Sequence, residues 1–246
     1  MKNLNLFKTI LFNEVMVKAI LSFLKTNTRR VIEGISSEAT FKYLGIDKTK
    51  GSPTYGRFGA LFELPKREWF DDKHPMLKFV AAPYAIGDIL WVREPARVTD
   101  YDGDKMAYCF NGENESKVIR IPNRFLRDIG FGDMSYPTWI VNCQGVPNGC
   151  IKEMARTFLR VKEIRVEKLQ DISEQDIRDE GIDDNYLTWW ISESGNGRAL
   201  MYPHDGFKKL WNSINGKGAY EKNPFVWVIV FEIVKRPENF LQGVSK

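Results

Sequence analysis

Residues 225–231 read FVWVIVF, an unbroken apolar run inside the closing segment "NPFVWVIVFEIV". A helix needs about 20 such residues to span a bilayer, so this run is far too short for that. It is rich in β-branched and aromatic residues, and it is apolar at odd and even positions alike. A strand with that pattern is buried on both faces. It belongs in the interior of a sheet covered on either side, as at the centre of a small barrel. The remaining chain must supply flanking strands and enough apolar surface to cover them. Hydrophobic residues make up 43% of the 246, which supplies that core and excludes wholesale disorder.

Other segments carry their own signals. "GDILWVRE" (Gly87–Glu94) predicts a strand after a Gly-Asp turn. "YDGDK" (Tyr101–Lys105) predicts a hairpin turn. In "TFLRVKEIRVEKL" (Thr157–Leu169), alternation runs through Leu159 and Val161 and resumes at Ile164 and Val166. That one-residue slip predicts a β-bulge. Apolar residues at Met16, Ala19, Ile20, Phe23 and Leu24 have helical spacing over Glu14–Lys25, and "TRRVI" then turns β-branched and enters a strand. "DISEQDIRDEGI" predicts a short helix. Ser173 is its N-cap, Ile172 and Ile177 sit at staple positions, and Gly181 falls at the C-terminal cap. "GFKKLWNSI" (Gly206–Ile214) predicts another, with Phe207, Leu210, Trp211 and Ile214 on one face.

Residues 35–78 are rich in Gly, Pro and Lys with poor periodicity and read as an insertion with little regular structure. Further insertions are expected at about 100–156 and 184–223. Strands outnumber the short helices. The expectation is a mixed α+β chain, a β-barrel with peripheral short helices and long loop insertions, as a single domain over 1–246.

Composition narrows the function classes. The net charge of +4 permits a polyanion partner without demanding one. Seven tryptophans and 16 phenylalanines are a rich aromatic supply, most of it expected in the core, with some available to stack on bases. Trp227 reads as core, while Trp189–Trp190 lie in a polar, Gly- and Ser-flanked stretch and read as an exposed lid or interaction loop. Cys109, Cys143 and Cys150 are odd in number and fit no zinc spacing, which points to free thiols and the cytoplasm. With only His74 and His204, no metal site and no cofactor is expected. The N-terminal residues carry neither a signal-type apolar run nor a small-residue cleavage site.

The stretch "FLKTNTRRVI" (Phe23–Ile32) concentrates the candidate chemistry. Cations at a helix C-terminus complement the macrodipole, which is the ordinary explanation of a basic end. Lys25 and Thr28, three apart where the helix is expected to finish, share a face on helical spacing. Positive neighbours Arg29 and Arg30 disfavour an ammonium at Lys25 and move it towards general-base behaviour. A threonine hydroxyl beside it serves as nucleophile or hydrogen-bonding group. Glu180 lies three residues after Ile177, beside the face that Ile177 buries, and is the candidate carboxylate partner. Glu94 ends its strand where it can pair with a basic residue. Arg93, Arg97, Arg156 and Arg160 are candidates for a phosphate-binding surface.

These pieces resemble the ASCH domain family of the PUA-like superfamily. "KTNTRR" matches the K-x-x-T-x-R signature of that family. "GDILWV", "VKEIRVEKLQDISEQDIRDEGI" and "NPFVWVIVFEIV" follow in the family's order. With "LWVRE" and "LWNSINGK", the chain looks like ASCH-type proteins often encoded by phages and prophages. The blocks cover about half of the chain. The resemblance implies a PUA-like β-barrel that binds RNA or a modified nucleoside in a barrel-mouth cleft. For a binding role, Arg29 and Arg30 are the expected phosphate contacts, and Arg93, Glu94 and Arg156 are further candidates for the ligand site. Some small members of the family are amidohydrolases that deacetylate N4-acetylcytidine without a metal. Their catalytic lysine, threonine and glutamate correspond to Lys25, Thr28 and Glu180. A third implied role is that of a phage accessory protein whose loops bind another protein. Two positions depart from the pattern. Phe23 stands where the family usually has a small residue, often Gly, and Pro95-Ala96 follow "WVRE" where an aromatic is usual.

Overall fold

The apolar run forms the final strand, β13 (Phe225–Val234), whose first five residues are all buried. The structure is a computed structural model that describes residues 7–65, 76–130, 133–182 and 202–242. Trp189–Trp190 and His74 lie outside the described residues. The chain is mixed α+β and strand-rich, with short helices and open sheets.

In chain order the strands are β1 (Phe7–Leu11), β2 (Asn27–Val31), β3 (Thr40–Ile46), β4 (Phe58–Glu63), β5 (Leu77–Ala81) and β6 (Ile89–Arg93). They continue with β7 (Ala96–Asp102), β8 (Lys105–Phe110), β9 (Lys117–Arg120), β10 (Arg127–Gly130), β11 (Asp133–Ser135) and β12 (Phe158–Lys168). The described α-helices are α1 (Glu14–Leu21), α2 (Thr138–Val141), α3 (Glu174–Asp179) and α4 (Pro203–Asn215). The chain divides into two compact units. One holds the residues up to Leu21, Ile89–Leu159 and Ile233 onward; the other holds Ser22–Asp88 and Arg160–Glu232.

In the first unit β1 runs parallel to β6, from Phe7 opposite Ile89 to Leu11 opposite Arg93. β7, β8 and β9 form an antiparallel sheet in that order. The expected hairpin is present: Asp102 pairs with Lys105 across a two-residue loop in which Gly103 takes φ +57°. β10 and β11 form a second antiparallel pair. The core gathers around Phe240, which is fully buried, with ring centroids of Phe158 at 4.7 Å, Phe7 at 5.4 Å and Trp91 at 6.0 Å.

In the second unit β13 lies between β12 and β2, pairing antiparallel with β2 from Val226–Val31 to Val230–Asn27. β12 shows the expected slip: Lys162 and Glu163 are exposed in succession before Ile164 is buried again. Behind this sheet, Leu169, Ile172, Ile177, Phe207, Trp211 and Val226 pack as one apolar cluster. α3 begins as the sequence predicts. Ser173 accepts a 3.1 Å hydrogen bond from the Asp176 amide, the staple residues Ile172 and Ile177 are both buried, and Gly181 at φ +89° follows the helix. α4 buries Phe207 and Trp211, while Ile214 is exposed.

Two expectations give way. Residues 35–78 contain β3, β4 and β5, an antiparallel sheet rather than an irregular insertion. The order comes from contacts that periodicity does not register. The Phe62 ring meets Phe41 at 5.7 Å and Phe225 at 5.1 Å. Gly59 lets β5 approach, because a Cβ there would run into the Val80 carbonyl oxygen. The loop between β3 and β4 is tied by Asp47, whose carboxylate accepts from the Thr49 amide (2.9 Å), Ser52 Oγ (2.6 Å) and Thr54 Oγ1 (2.6 Å). Those donors hold the Asp47 carboxyl well below the usual carboxylate range. The second change is the end of α1. It stops at Leu21, and Phe23 turns the chain at φ +59°. Residues 27–31 are then extended, so strand alternation and not helical spacing decides which side chains share a face.

Candidate functional site

Strand geometry sorts "KTNTRR" into two faces. Lys25, Asn27 and Arg29 alternate onto one, and all three meet carboxylates there. Lys25 pairs antiparallel with Glu180 as an isolated β-bridge, reinforced by a 2.8 Å bond from the Thr26 amide to the Asp179 carbonyl. That pairing joins the entrance of β2 to the C-terminus of α3. The Lys25 ammonium donates to Glu180 Oε2 and, at 3.1 Å, to the Glu180 carbonyl. Lys25 is 1% exposed and Glu180 5%. Burial pushes the Lys25 ammonium below its ordinary value of 10.5, and Arg30 and Arg29 push the same way. Glu180 opposes them without cancelling the shift.

Arg29, 4% exposed, organises the carboxylates around this pair. Its Nη1 donates to Glu180 Oε1 at 3.1 Å and its Nε to Glu167 Oε1 at 2.7 Å. Its Nη2 lies 2.7 Å from Glu167 and 3.2 Å from Asp176, near enough for ion pairing though not aimed along a hydrogen bond. Asp176 also accepts from Asn27 Nδ2 (3.1 Å) and Arg165 Nη2 (2.7 Å). Burial alone would raise the Asp176 carboxyl. Arg165 and Arg29 outweigh that and hold it below the ordinary carboxylate range. Lys25, Arg29 and Arg165 thus balance Glu167, Asp176 and Glu180 charge for charge, the condition under which buried ions are tolerated.

The arrangement has a chemical consequence. Arg29 occupies Oε1 of Glu180, leaving Oε2 to Lys25. A desolvated lysine bonded to one defined carboxylate oxygen is an arrangement met at proton-transfer sites as well as in structural ion pairs.

The other predicted residues lie elsewhere. Thr28 is buried and falls on the opposite face of β2, with no side-chain hydrogen bond to Lys25 or Glu180. Arg30 shares that second face. Its charge bears on the half-buried Tyr84, whose phenol burial nonetheless pushes up. Glu94 and Arg156 belong to the first unit and are brought together there. Glu94 is 2% exposed and takes a two-pronged contact from Arg156, at 3.0 Å from Nε and 2.8 Å from Nη2. The Arg156 Nη1 donates to Glu113 at 2.7 Å, and the guanidinium sits 3.9 Å over the Phe110 ring. Each of its three nitrogens thus meets an acid, Nε and Nη2 on Glu94 and Nη1 on Glu113. Arg93 donates to the Pro147 carbonyl at 3.2 Å, Arg97 to the Cys109 sulfur at 3.4 Å, and Arg160 to Glu232 at 3.0 Å. All three cysteines are free thiols, and burial pushes Cys150 up to about 12, which makes it a poor nucleophile. Among the described residues no His, Cys, Asp or Glu cluster is placed to hold a metal ion, and no helix is long and apolar enough to cross a membrane.

Helical spacing in the sequence overlooked Asn27, Glu167, Asp176 and Arg165. The signal was present: read with a period of two, K-T-N-T-R places Lys25, Asn27 and Arg29 together, and V-E-K-L-Q-D-I-S-E-Q-D supplies the acids. No family model, no curated protein and no solved structure matches the chain.

Proposed function

We propose that this chain is an ASCH-type protein of the PUA-like class that binds a nucleoside, free or within RNA, with the Lys25–Glu180 pair as its chemical centre. The observation that carries the reading is that pair: a desolvated lysine bonded to a carboxylate whose other oxygen is fixed by Arg29. Lys25 and Arg29 are spoken for by acids, so neither serves as a phosphate clamp. The polar edge of a base, which can give or take a proton, suits the pair better.

A second reading is favoured by the lowered Lys25 pKa itself. Metal-independent hydrolysis of an exocyclic amide such as that of N4-acetylcytidine needs a base that also returns the proton. In this scheme the neutral Lys25 amine takes a proton from water, and the water oxygen bonds to the acyl carbon. The carbon–nitrogen bond then breaks, and Lys25, oriented by Glu180, gives the proton to the departing amine. The water route fits the geometry better than attack by Thr28, which lies on the opposite face.

Incubation with N4-acetylcytidine, with cytidine release followed by chromatography, separates the readings when wild type is compared with Lys25→Met. Under the hydrolytic reading the variant loses about 10²–10⁴-fold in rate. Under the binding reading no cytidine is released, and nucleoside affinity falls at least tenfold in the variant. A wild-type protein that neither binds nor hydrolyses the compound, nor binds RNA, defeats both.

A further inference from the structure

The strand pair β10–β11 leads into a groove remote in sequence from the Lys25 network. Pairing of Arg127 with Ser135 sets the Arg127 side chain beside the segment Tyr136–Trp139 that follows β11. Together with Pro137 and Pro147 they line a cavity of about 500 Å³. That volume falls in the range of small-molecule sites, ~300–1,000 Å³.

Two features make it more than a surface dent. Its aromatic walls are braced from behind: the Trp139 ring meets Phe125 edge-on at 5.6 Å, and Tyr136 meets Tyr101 edge-on at 6.2 Å. Both rings are half-buried, so each is held in place by a neighbour and still offers surface. The second feature is the charge. Arg127 is exposed and, among the described residues lining the cavity, is the one that carries a charge; among the described residues its side chain makes no ion pair or hydrogen bond. Its neighbour Arg124 is the contrast, bound two-pronged to Glu153 at 2.6 Å.

We propose that this groove binds a nucleotide: a flat base against Trp139 or Tyr136, and its phosphate on Arg127. Stacking on aromatic rings is indifferent to base identity, and a guanidinium grips phosphate through paired N–H groups. Ser135 and Thr138 supply hydroxyls within the same lining. A proline-rich peptide would suit the aromatic and proline walls but brings no anion for Arg127. The cavity charge therefore favours the nucleotide. The site is independent of the Lys25 network and stands whether or not that network turns over a substrate.

The test is equilibrium titration of the full chain with uridine 5′-monophosphate, uridine and a labelled oligouridylate, for wild type, Arg127→Ala, Trp139→Phe and Lys25→Met. Arg127 is exposed, so its substitution leaves the fold intact. Expected is a phosphate-dependent component of binding that weakens about tenfold in Arg127→Ala and persists in Lys25→Met, whatever nucleoside binding at the Lys25 pair that variant loses. The salt dependence of oligouridylate binding should also fall by about one phosphate contact in Arg127→Ala. Equal affinity for mononucleotide and oligonucleotide identifies a free nucleotide as ligand; much tighter oligonucleotide binding identifies RNA. Phosphate-dependent binding indifferent to Arg127→Ala, uridine displacing the bound monophosphate as effectively as the monophosphate itself does, preference for a proline-rich peptide, or no nucleotide binding at millimolar concentration overturns the proposal.

Discussion

Glu180 and Lys25 depend on each other unequally. Removing the lysine head leaves Glu180 still bonded to Arg29 at 3.1 Å. Removing the carboxylate takes away the charge that offsets desolvation of Lys25. Glu180→Gln is therefore expected to destabilise by about 3–5 kcal/mol, and Lys25→Met by less, as read from chemical unfolding; the reverse order would contradict the network. The pH dependence has a definite sign. The unfolded chain keeps the lysine proton up to about 10.5, while the folded chain releases it earlier because burial disfavours the ammonium. Between those two values the unfolded state binds more protons, so the Lys25 contribution to stability rises with pH. The stability gap of wild type over Lys25→Met should widen as pH climbs towards 10.5; a narrowing gap would show that Lys25 stays charged as the protein folds. The Lys25–Glu180 partnership was legible from the sequence, because Glu180 sits beside a buried isoleucine on a well-marked helix. The role of Arg29 was not. Helical spacing joins Lys25 to Thr28, strand spacing joins it to Arg29, and the choice rests on where α1 ends.

That ending belongs to the level of the element. Nothing in "AILSFLKTN" is a glycine, yet the chain turns at Phe23 with φ +59°, a conformation that costs a non-glycine residue about 1–2 kcal/mol. The Phe23 side chain is 76% exposed and recovers little by packing. Phe23→Gly should therefore stabilise the protein by about 1 kcal/mol and raise Tm by roughly 2–4 °C in a thermal melt. A fall in Tm would mean that the ring packs in solution. A small residue would suit the backbone turn at this position, and the phenylalanine points outward. Elements with local markers were readable, among them the Ser173-capped helix, the Gly103–Asp104 hairpin and the doubly buried β13. The sheet β3–β4–β5 was not, because its order rests on Phe62 reaching Phe225 in a strand some 160 residues later and on Asp47 gathering three donors. Neither leaves a periodic trace in the segment itself.

At the scale of the whole molecule, the chain passes between its two compact units at Leu21–Ser22, Asp88–Ile89, Leu159–Arg160 and Glu232–Ile233. Neither unit is a contiguous segment, so no single cut releases one intact. The first unit shows the consequence most plainly. Phe7, Trp91, Phe158 and Phe240 come from widely spaced parts of the sequence and meet in one edge-to-face cluster. Phe240 is its hub. It is fully buried, three aromatic rings lie against it, and Lys152 and Arg236 stand over its face at 4.8 and 5.4 Å. Phe240→Ala removes the ring from all of these at once and is expected to cost about 3–5 kcal/mol, whereas Phe240→Leu, which keeps most of the volume, should cost distinctly less. The check is chemical unfolding followed in parallel by tryptophan fluorescence and far-UV circular dichroism. A loss below about 1 kcal/mol for the alanine variant would mean that the C-terminal segment rests on the unit without holding it together. A loss of the expected size would show that residues near both ends of the chain are needed to close the first unit's core.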